Sequence, residues 1–344
     1  MELDVTPTRP LHFVVESHIP YMRGVLEPFG TVTYLDPADI TPAAVRDADA
    51  LLVRTRTRCD AALLAGSRCR FVGTATIGTD HIDLPWCAAN GITVANAPGC
   101  NAPAVAQYVL ASVAALANRP ISQYRIGIVG VGHVGRIVAQ WAESLDMKVF
   151  LCDPPRQRSE GGDRWHSLDE LARECDVITF HTPLTKEGPD ATFHLADDSF
   201  FAKLRRAPIV INAARGPVAD TEAIIRAKEQ SLISHAVIDT WENEPAISQR
   251  LLELTSIATP HIAGYSQQGK ARASRMVVEA LAQAFGLHGV KFPGDDIAPV
   301  PARVRLSTLV DGYNPFADDA RLRADTSTFE LLRNTYPLRT EPGQ

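Results

Sequence analysis

The segment that decides the fold is YRIGIVGVGHVGR, from Tyr124 to Arg136. An apolar run is followed by three glycines with the spacing G-x-G-x-x-G, and a helix-like segment begins at the last of them. Such glycines allow a tight turn from strand to helix, and the helix N-terminus offers N–H groups and positive potential to a pyrophosphate. The pattern is weak without structural context. The residues expected to contact a dinucleotide here are Gly130, Gly132, His133, Val134 and Gly135.

The sequence that follows supports this interpretation. A second apolar run, Lys148–Cys152, ends at Asp153, eighteen residues after Gly135. An acidic side chain at this distance accepts hydrogen bonds from the adenosine ribose and repels a 2′-phosphate, which favours NAD over NADP. The nearby Arg156 and Arg158 leave NADP open as an alternative.

Composition limits the classes of function. The 344 residues are enough for two domains and a small third part. A net charge of −6 and a pI near 5.9 argue against general nucleic-acid binding. The acidic N-terminus does not resemble a signal peptide, and no apolar run is long enough to span a membrane. We therefore expect a cytoplasmic protein that binds neither nucleic acid nor membrane.

The cysteines and histidines do not form a metal-binding pattern. The six cysteines are scattered without C-x-x-C or paired Cys/His spacing, as is typical of reduced thiols in a cytosolic protein. His81 stands between Asp80 and Asp83, but such a local cluster more often caps a helix than binds a metal. No metal cofactor is expected.

Short apolar runs alternate with helix-like segments along most of the chain, which predicts parallel sheets with crossover helices. The expected fold class is α/β, with a flavodoxin-like substrate domain, a Rossmann NAD domain and a small C-terminal α+β segment. The predicted boundaries are 10–101, completed by the helix-rich stretch 266–286, for the first domain, 102–265 for the second and 287–344 for the tail. A buried helix at Ala102–Leu116 is expected to connect the domains, with a cleft between them.

Three side chains with complementary chemistry follow strands of the second domain. Arg215 offers a planar fork of donors that matches a carboxylate. The imidazole of His261 can take a proton from a secondary alcohol, and Glu244 can orient that imidazole. Because ligands bind beyond the carboxyl ends of parallel strands, the three residues are expected to converge on one crevice. Beside a nicotinamide, they form a set suited to dehydrogenating a 2-hydroxy acid.

The chain resembles the D-isomer-specific 2-hydroxyacid dehydrogenase family over nearly its whole length. The resemblance rests on FVGTATIGTDHID at Phe71–Asp83, GIVGVGHVG, TFHTPLTKEGP at Thr179–Pro189, NAARG, DTWENEP and PHIAGYSQQGKARA at Pro260–Ala273. It extends to FELLRNTYPLR in the tail, which is similar to the dimerisation module of some members. A homodimer is therefore expected.

The resemblance also implies roles for individual residues. Arg215 would bind and polarise the substrate, and His261 would be the acid/base, with Glu244 as its partner. The residues that would contact NAD are Asp153, Thr182, Ala213, Ala214, Asp239 and Gly264, and those that would contact substrate are Thr55, Thr76 and Tyr265. The implied reaction is NAD-dependent oxidation of 4-phospho-D-erythronate at C2 to 2-oxo-3-hydroxy-4-phosphobutanoate, a step of pyridoxal phosphate synthesis.

The segment Arg54–Arg58, with sequence RTRTR, follows a predicted strand and offers arginines and hydroxyls suited to a phosphate. Arg54 is the candidate chosen, although Arg56 or Arg58 would serve equally well in the sequence. Two residues depart from the family pattern: Thr55 replaces a common Ser and keeps its hydroxyl, and Ala214 replaces a common Cys.

Two alternatives remain at this stage. The enzyme could act on another D-2-hydroxy acid, such as 3-phosphoglycerate, or on hydroxypyruvate or glyoxylate. A different class, a non-catalytic NAD-sensing regulator on the same fold, is disfavoured by the intact Arg215, Glu244 and His261.

Overall fold

The computed structural model describes residues 9–294 and 297–343. Its contacts divide the chain into two compact units. Unit 1 comprises the described residues of Met1–Asn101 and Gln267–Ile297, and unit 2 comprises Ala102–Ser266 with the described residues of Ala298–Gln344. The chain thus leaves unit 1 after Asn101, returns to it for one further segment, and then passes back into unit 2.

Unit 1 is built on a parallel five-stranded sheet with the strand order β2-β1-β3-β4-β5. These strands are β1 Leu11–Glu16, β2 Gly30–Leu35, β3 Ala50–Val53, β4 Phe71–Thr74 and β5 Thr93–Ala95. The central strands β3 and β4 are buried along their whole length, as expected for a parallel sheet covered on both faces. Each strand coincides within one or two residues with an apolar run of the sequence.

Unit 2 contains a parallel six-stranded sheet with the order β11-β10-β9-β8-β6-β7. Its strands are β6 Arg125–Val129, β7 Lys148–Cys152, β8 Val177–Phe180, β9 Ile209–Asn212, β10 His235–Ile238 and β11 Ile257–Ala258. Strand order reverses between β6 and β8, so their carboxyl ends lie at a topological switch point. The predicted Rossmann sheet is confirmed.

Helices connect the strands of both sheets. In chain order they are α1 Pro42–Val45, α2 Ala61–Leu64, α3 Leu84–Ala89, α4 Ala102–Leu116, α5 His133–Ser144, α6 Pro154–Glu160, α7 Leu168–Glu174, α8 Asp198–Phe201, α9 Thr221–Glu229, α10 Gln249–Leu254, α11 Gln267–Phe285, α12 Leu306–Gly312, α13 Pro315–Ala324 and α14 Phe329–Asn334. The side chain of Asp83 caps α3 by accepting from the Trp86 amide, as expected for a capping residue.

Helix α11 packs on the sheet of unit 1. Its apolar face includes Ala273, Val277 and Leu281, which belong to the same core as Phe13 and Phe71. Helix α11 lies very close to β4, because a Cβ added to Gly73 of β4 would lie 2.5 Å from Val277 Cγ1. A residue without a side chain at position 73 therefore lets helix and strand approach.

The tail packs onto unit 2 of its own chain instead of forming a separate body. Leu322 and Phe329 join a core of unit 2 to which several of its strands contribute, with α13 packed against β11, and Leu309 and Tyr313 join the core around α4. In its described part the tail is helical, and its β content is one isolated bridge between Arg339 and Ser266. The expected α+β character is thus reduced to that bridge, because a segment this short has too few apolar residues for its own core.

All six cysteines lie in the described part of the chain, where they are buried and form no disulfide. Among the described residues, no helix is both long and apolar enough to cross a bilayer.

Candidate active site

The glycine turn after β6 has a distinct geometric role for each glycine. Gly130 has a φ of +87°, a conformation that side chains rarely adopt. A Cβ on Gly135 would lie 2.1 Å from the Gly130 carbonyl oxygen, so only glycine lets α5 pack this closely on the turn. A Cβ on Gly132 would meet no atom within 4 Å. The space above Gly132 is therefore open to a ligand.

The start of α5 is suited to an anion. The helix begins at His133, Gly132 is its N-cap, and no side chain caps it. The first N–H groups of a helix have no partner within the helix, and its N-terminus carries positive potential. His133 and Val134, predicted cofactor contacts, form this first turn and present their amides there.

Asp153 at the end of β7 holds the glycine turn in place. Its Oδ2 accepts a 2.8 Å hydrogen bond from the Val131 amide, and its Oδ1 accepts from the Arg156 amide at the start of α6. The sequence assigned Asp153 a ribose contact, which stays a prediction. The bond to the turn was not foreseen, because it depends on two loops meeting in three dimensions.

A cavity of about 480 Å³ lies beyond the carboxyl ends of β6, β7 and β8. Its lining includes Gly130, Asp153 and Thr182, three of the residues predicted to contact NAD. The Thr182 hydroxyl and the Nδ1 atom of His166, both in the lining residues, are buried and lack a hydrogen-bond partner among the described residues. The cavity therefore lies at the sheet edge where the sequence placed the dinucleotide, and it includes three of the predicted contacts.

The two arginines that left NADP open as an alternative are both paired with carboxylates. Arg156 is paired with Glu160 at 2.7 Å and donates to the Val131 carbonyl. Arg158 forms an ion pair with Asp190. A 2′-phosphate would have to compete with these carboxylates, which agrees with NAD as the cofactor.

Arg215 lies in the turn after β9. The side chain of Asn212 shapes this turn by donating to the carbonyl oxygens of Arg215 and Gly216 at 3.0 and 3.2 Å. The Arg215 guanidinium donates to the Ala214 carbonyl at 2.8 Å, and no carboxylate of the described residues pairs with it. Most of its donor fork remains for a ligand carboxylate. Ala213 and Ala214, two predicted cofactor contacts, belong to the same turn.

His261 and Glu244 form the hydrogen-bonded pair that the sequence predicted. His261 Nδ1 lies 2.9 Å from Glu244 Oε2, and since a carboxylate only accepts, the imidazole donates. Glu244 Oε1 accepts from the Trp241 amide at 2.8 Å. Burial opposes the charge of Glu244, but the bonds from His261 and Trp241 outweigh it and lower the pKa of this carboxyl. The imidazole thereby keeps Nε2 available as a proton acceptor.

Asp239 holds the loop that carries His261. Its Oδ1 accepts from the Thr259 hydroxyl at 2.7 Å and from the Ile262 amide at 2.8 Å, and its Oδ2 accepts from the Ala263 amide at 3.0 Å. The side chain is 1% exposed, and burial raises its pKa. These contacts make Asp239 a positioning residue, and its predicted contact with NAD remains a prediction. Gly264, another predicted contact, follows in the same loop.

In unit 1, three predicted substrate residues follow the carboxyl ends of β3 and β4. Arg54 and Thr55 begin the loop after β3, and the buried carboxylate of Glu16 holds this loop by accepting from the Arg54 amide at 2.7 Å. Thr76 follows β4, and its hydroxyl bonds to the Thr74 hydroxyl. Glu16 was not among the predicted site residues, although an acidic residue at the end of an apolar run is a signal in the sequence.

Two of the candidate arginines in the loop after β3 differ in the partners of their guanidinium groups. Arg58 pairs with Asp60 at 2.7 Å. No described residue accepts a hydrogen bond from the guanidinium of Arg54, which leaves it open to a ligand. Thr57 Oγ1 is buried and has no hydrogen-bond partner among the described residues. Arg54 stays the predicted phosphate ligand.

The remaining acidic residue of the DTWENEP motif has a different partner. Glu242 accepts from His194 Nε2 at 2.8 Å and from the Thr221 amide at the start of α9. With Asp220, these side chains have the arrangement of a possible metal-ligand group. The 2.8 Å contact is an ordinary hydrogen bond, and Glu242 stabilises the start of α9.

Comparisons with known proteins agree with this arrangement. Residues 105–263 match the family model for the NAD-binding domain of D-isomer specific 2-hydroxyacid dehydrogenases. A curated relative from Bacteroides thetaiotaomicron, erythronate-4-phosphate dehydrogenase, is 45% identical over 338 residues, which cover 96% of this chain and 97% of the relative. The protein of the same name from Escherichia coli is 40% identical over 337 residues, which cover 97% of this chain and 88% of that protein.

Solved structures extend the likeness to the fold. The structure of D-lactate dehydrogenase from Aquifex aeolicus, complexed with NAD and lactic acid, is similar with a TM-score of 0.65 and 25% identity. The match covers 80% of this chain and 96% of that one. D-2-hydroxyisocaproate dehydrogenase gives a TM-score of 0.67 at 19% identity, with 83% of this chain covered. These matches describe a two-unit α/β dehydrogenase fold.

Proposed function

This chain belongs to the erythronate-4-phosphate dehydrogenases, within the D-isomer-specific 2-hydroxyacid dehydrogenase family, and we propose how its residues carry out that reaction. The reaction is oxidation of the C2 hydroxyl of 4-phospho-D-erythronate to a ketone, with NAD as cofactor. The proposal depends above all on the His261–Glu244 pair. This pair lies on the same sheet edge of unit 2 as Arg215 and the cavity beyond β6, β7 and β8.

Arg215 is proposed to bind the substrate carboxylate. Its planar fork can bond to both carboxylate oxygens and also polarise the C2 oxygen. No described carboxylate competes for the guanidinium, so little has to be broken when substrate binds. This contact fixes the orientation of C2 relative to His261.

His261 is proposed to take the proton of the C2 hydroxyl on Nε2. The bond from Nδ1 to Glu244 holds the tautomer in which Nε2 is the acceptor. As the proton arrives, the imidazole becomes positive, and the ionised Glu244 stabilises that charge. In the reverse direction the same imidazolium returns the proton.

The glycine turn, Asp153 and Thr182 are proposed to hold NAD, whose nicotinamide ring accepts the hydride of C2 when the cofactor is bound. The open space at Gly132 and the uncapped α5 N-terminus suit the pyrophosphate. Gly130, Asp153 and Thr182 all line the cavity beyond the carboxyl ends of β6, β7 and β8, which supports this assignment. These residues orient the cofactor and exclude water from it.

The terminal phosphate of the substrate is assigned to unit 1. Arg54, whose guanidinium has no described acceptor, is proposed as its ligand, with the hydroxyls of Thr55 and Thr76 as further contacts. Tyr265 is proposed as a substrate contact from unit 2. This set would distinguish phosphorylated acids from lactate-like substrates.

The proposal includes the setting of the enzyme. We place it in the cytoplasm, where six buried thiols stay reduced, and in pyridoxal phosphate synthesis. A homodimer is proposed on the basis of the tail, whose helices expose apolar side chains such as Leu306, Val310, Phe316 and Leu331.

A substrate panel tests the proposal. The purified protein is supplied with NAD and one acid at a time: 4-phospho-D-erythronate, 3-phosphoglycerate or glycerate, with and without an added 2-oxo acid. NADH formation from 4-phospho-D-erythronate, with much smaller kcat/KM for the others, supports the assignment. Turnover of 3-phosphoglycerate alone would keep the family and overturn the substrate.

A further inference from the structure

Hydrogen bonds from other parts of the chain hold both the amides and the carbonyls of the loop that carries His261. The amides of Ile262 and Ala263 donate to Asp239, as described above. The carbonyl oxygens of the same two residues accept from the guanidinium of Arg339, with 3.1 Å to Ile262. Arg339 belongs to the tail and lies 77 residues after Ile262 in the sequence.

Arg339 is itself firmly placed. It is 9% exposed, and it also donates to the Ala104 carbonyl at 3.0 Å and to Gln107 Oε1 at 3.3 Å, both on the buried helix α4. Its guanidinium lies 4.4 Å from the ring centroid of Tyr313. One buried side chain therefore joins the catalytic loop to α4 and to the tail.

Neighbouring tail residues contact the remainder of the loop. The ring of Tyr336 packs edge-on against that of Tyr265 with centroids 5.9 Å apart, and its hydroxyl accepts from Arg339 at 3.3 Å. The hydroxyl of Ser266 lies 2.6 Å from Glu341 Oε1. The segment 336–341 thus contacts the loop at several successive residues after His261.

We infer that the segment 336–341 is part of the catalytic apparatus, with Arg339 as the positioning residue for His261 and Tyr265. Fixing the carbonyls of Ile262 and Ala263 fixes the peptide planes that follow His261, and hence the direction of its imidazole. Catalysis is sensitive to such placement, because a displacement of about 1 Å can cost about 10²-fold in rate. The inference rests on the proposed role of His261 in the dehydrogenase reaction.

The test compares two tail arginines that both bond to backbone carbonyls of unit 2. Arg339→Met removes the bonds to the catalytic loop. The control Arg323→Met removes bonds to the Leu252 and Thr255 carbonyls at the end of α10. Arg339→Lys keeps a donor and a positive charge at the loop. Each full-length variant is measured for thermal stability, NADH affinity and kcat, using whichever 2-hydroxy acid the wild type oxidises best.

We expect Arg339→Met to lower kcat about 10- to 100-fold, and Arg339→Lys to recover part of the loss. The control should leave kcat within about threefold of the wild type at similar loss of stability. Equal kcat for the two Met variants would overturn the inference, because both would then act only through tail docking.

Amide hydrogen exchange gives a readout that does not depend on the substrate. If Arg339 positions the loop, the Ile262 and Ala263 amides lose protection in Arg339→Met and keep it in Arg323→Met. Unchanged protection in both variants would refute the positioning role. A wild type that oxidises no hydroxy acid would instead refute the proposed function, whatever the exchange shows.

Discussion

Replacing Glu244 by Gln tests the His261–Glu244 pair, because it exchanges one carboxylate oxygen for an NH2 group and changes nothing else in the side chain. The glutamine can still accept from the Trp241 amide through its oxygen, but its NH2 group then faces His261 Nδ1. The imidazole is driven to the tautomer that carries its proton on Nε2, where the proton of the substrate should arrive. The variant also loses the negative charge that stabilises the imidazolium.

The magnitude follows from the geometry. Unit charges about 4 Å apart interact by about 4 kcal/mol at an effective dielectric constant of about 20. The His261 side chain is 32% exposed, so solvent reduces this value. We take about 2 to 4 kcal/mol, which corresponds to a fall in kcat of roughly 30- to 1000-fold.

The assay is steady-state NADH formation at saturating substrate and NAD, with Glu242→Gln as the matched control. Glu242 lies in the same loop and also pairs with a histidine at 2.8 Å, but its partner is His194. We expect the control to keep kcat within about fivefold, since it perturbs only the contacts with His194 and with the start of α9. A Glu244→Gln enzyme with kcat equal to that of the control would refute the reasoning.

Three further predictions follow. Gly135→Ala should lower the melting temperature, because the added Cβ would lie 2.1 Å from the Gly130 carbonyl oxygen. Gly132→Ala should keep the melting temperature of the wild type and weaken NAD binding. Equal melting temperatures of the two variants would contradict this. Arg215→Lys should lower kcat/KM by at least about tenfold, because an ammonium cannot replace the fork, and an unchanged value would remove Arg215 from carboxylate binding. The pKa of Glu244 is lowered from its ordinary value of 4.5, so its stabilisation is present above that pH and is lost as pH falls through the folded-state pKa. The difference in melting temperature between wild type and Glu244→Gln should therefore narrow below about pH 4.5, and a difference that widens would contradict the sign.

The sequence predicted those parts of the fold that depend on local pattern. Strands β8 and β9 coincide with apolar runs of the sequence, because strands covered on both faces need nearly continuous apolar residues. The glycine spacing likewise predicted the turn before α5, since a tight turn and a close helix leave no room for side chains.

The contacts that the sequence could not predict join distant segments. Asp239 ends a predicted strand, but its bonds to the loop after His261 depend on β10 and β11 being neighbours. Arg339 carries no local motif, and its partners are brought to it only when the tail packs on α4. The tail was expected to take part in a homodimer, and nothing in the sequence indicated that its apolar residues Leu322 and Phe329 are buried in their own chain.

In the proposed reaction this chain removes hydrogen from C2 of a phosphorylated four-carbon hydroxy acid. This can be followed with 4-phospho-D-erythronate that carries deuterium at C2, by measuring the mass of the NADH formed over several turnovers. We expect NADH that carries one deuterium, and we expect turnover to be lost in His261→Ala. Unlabelled NADH, or deuterated NADH formed at the same rate without His261, would contradict the proposed reaction.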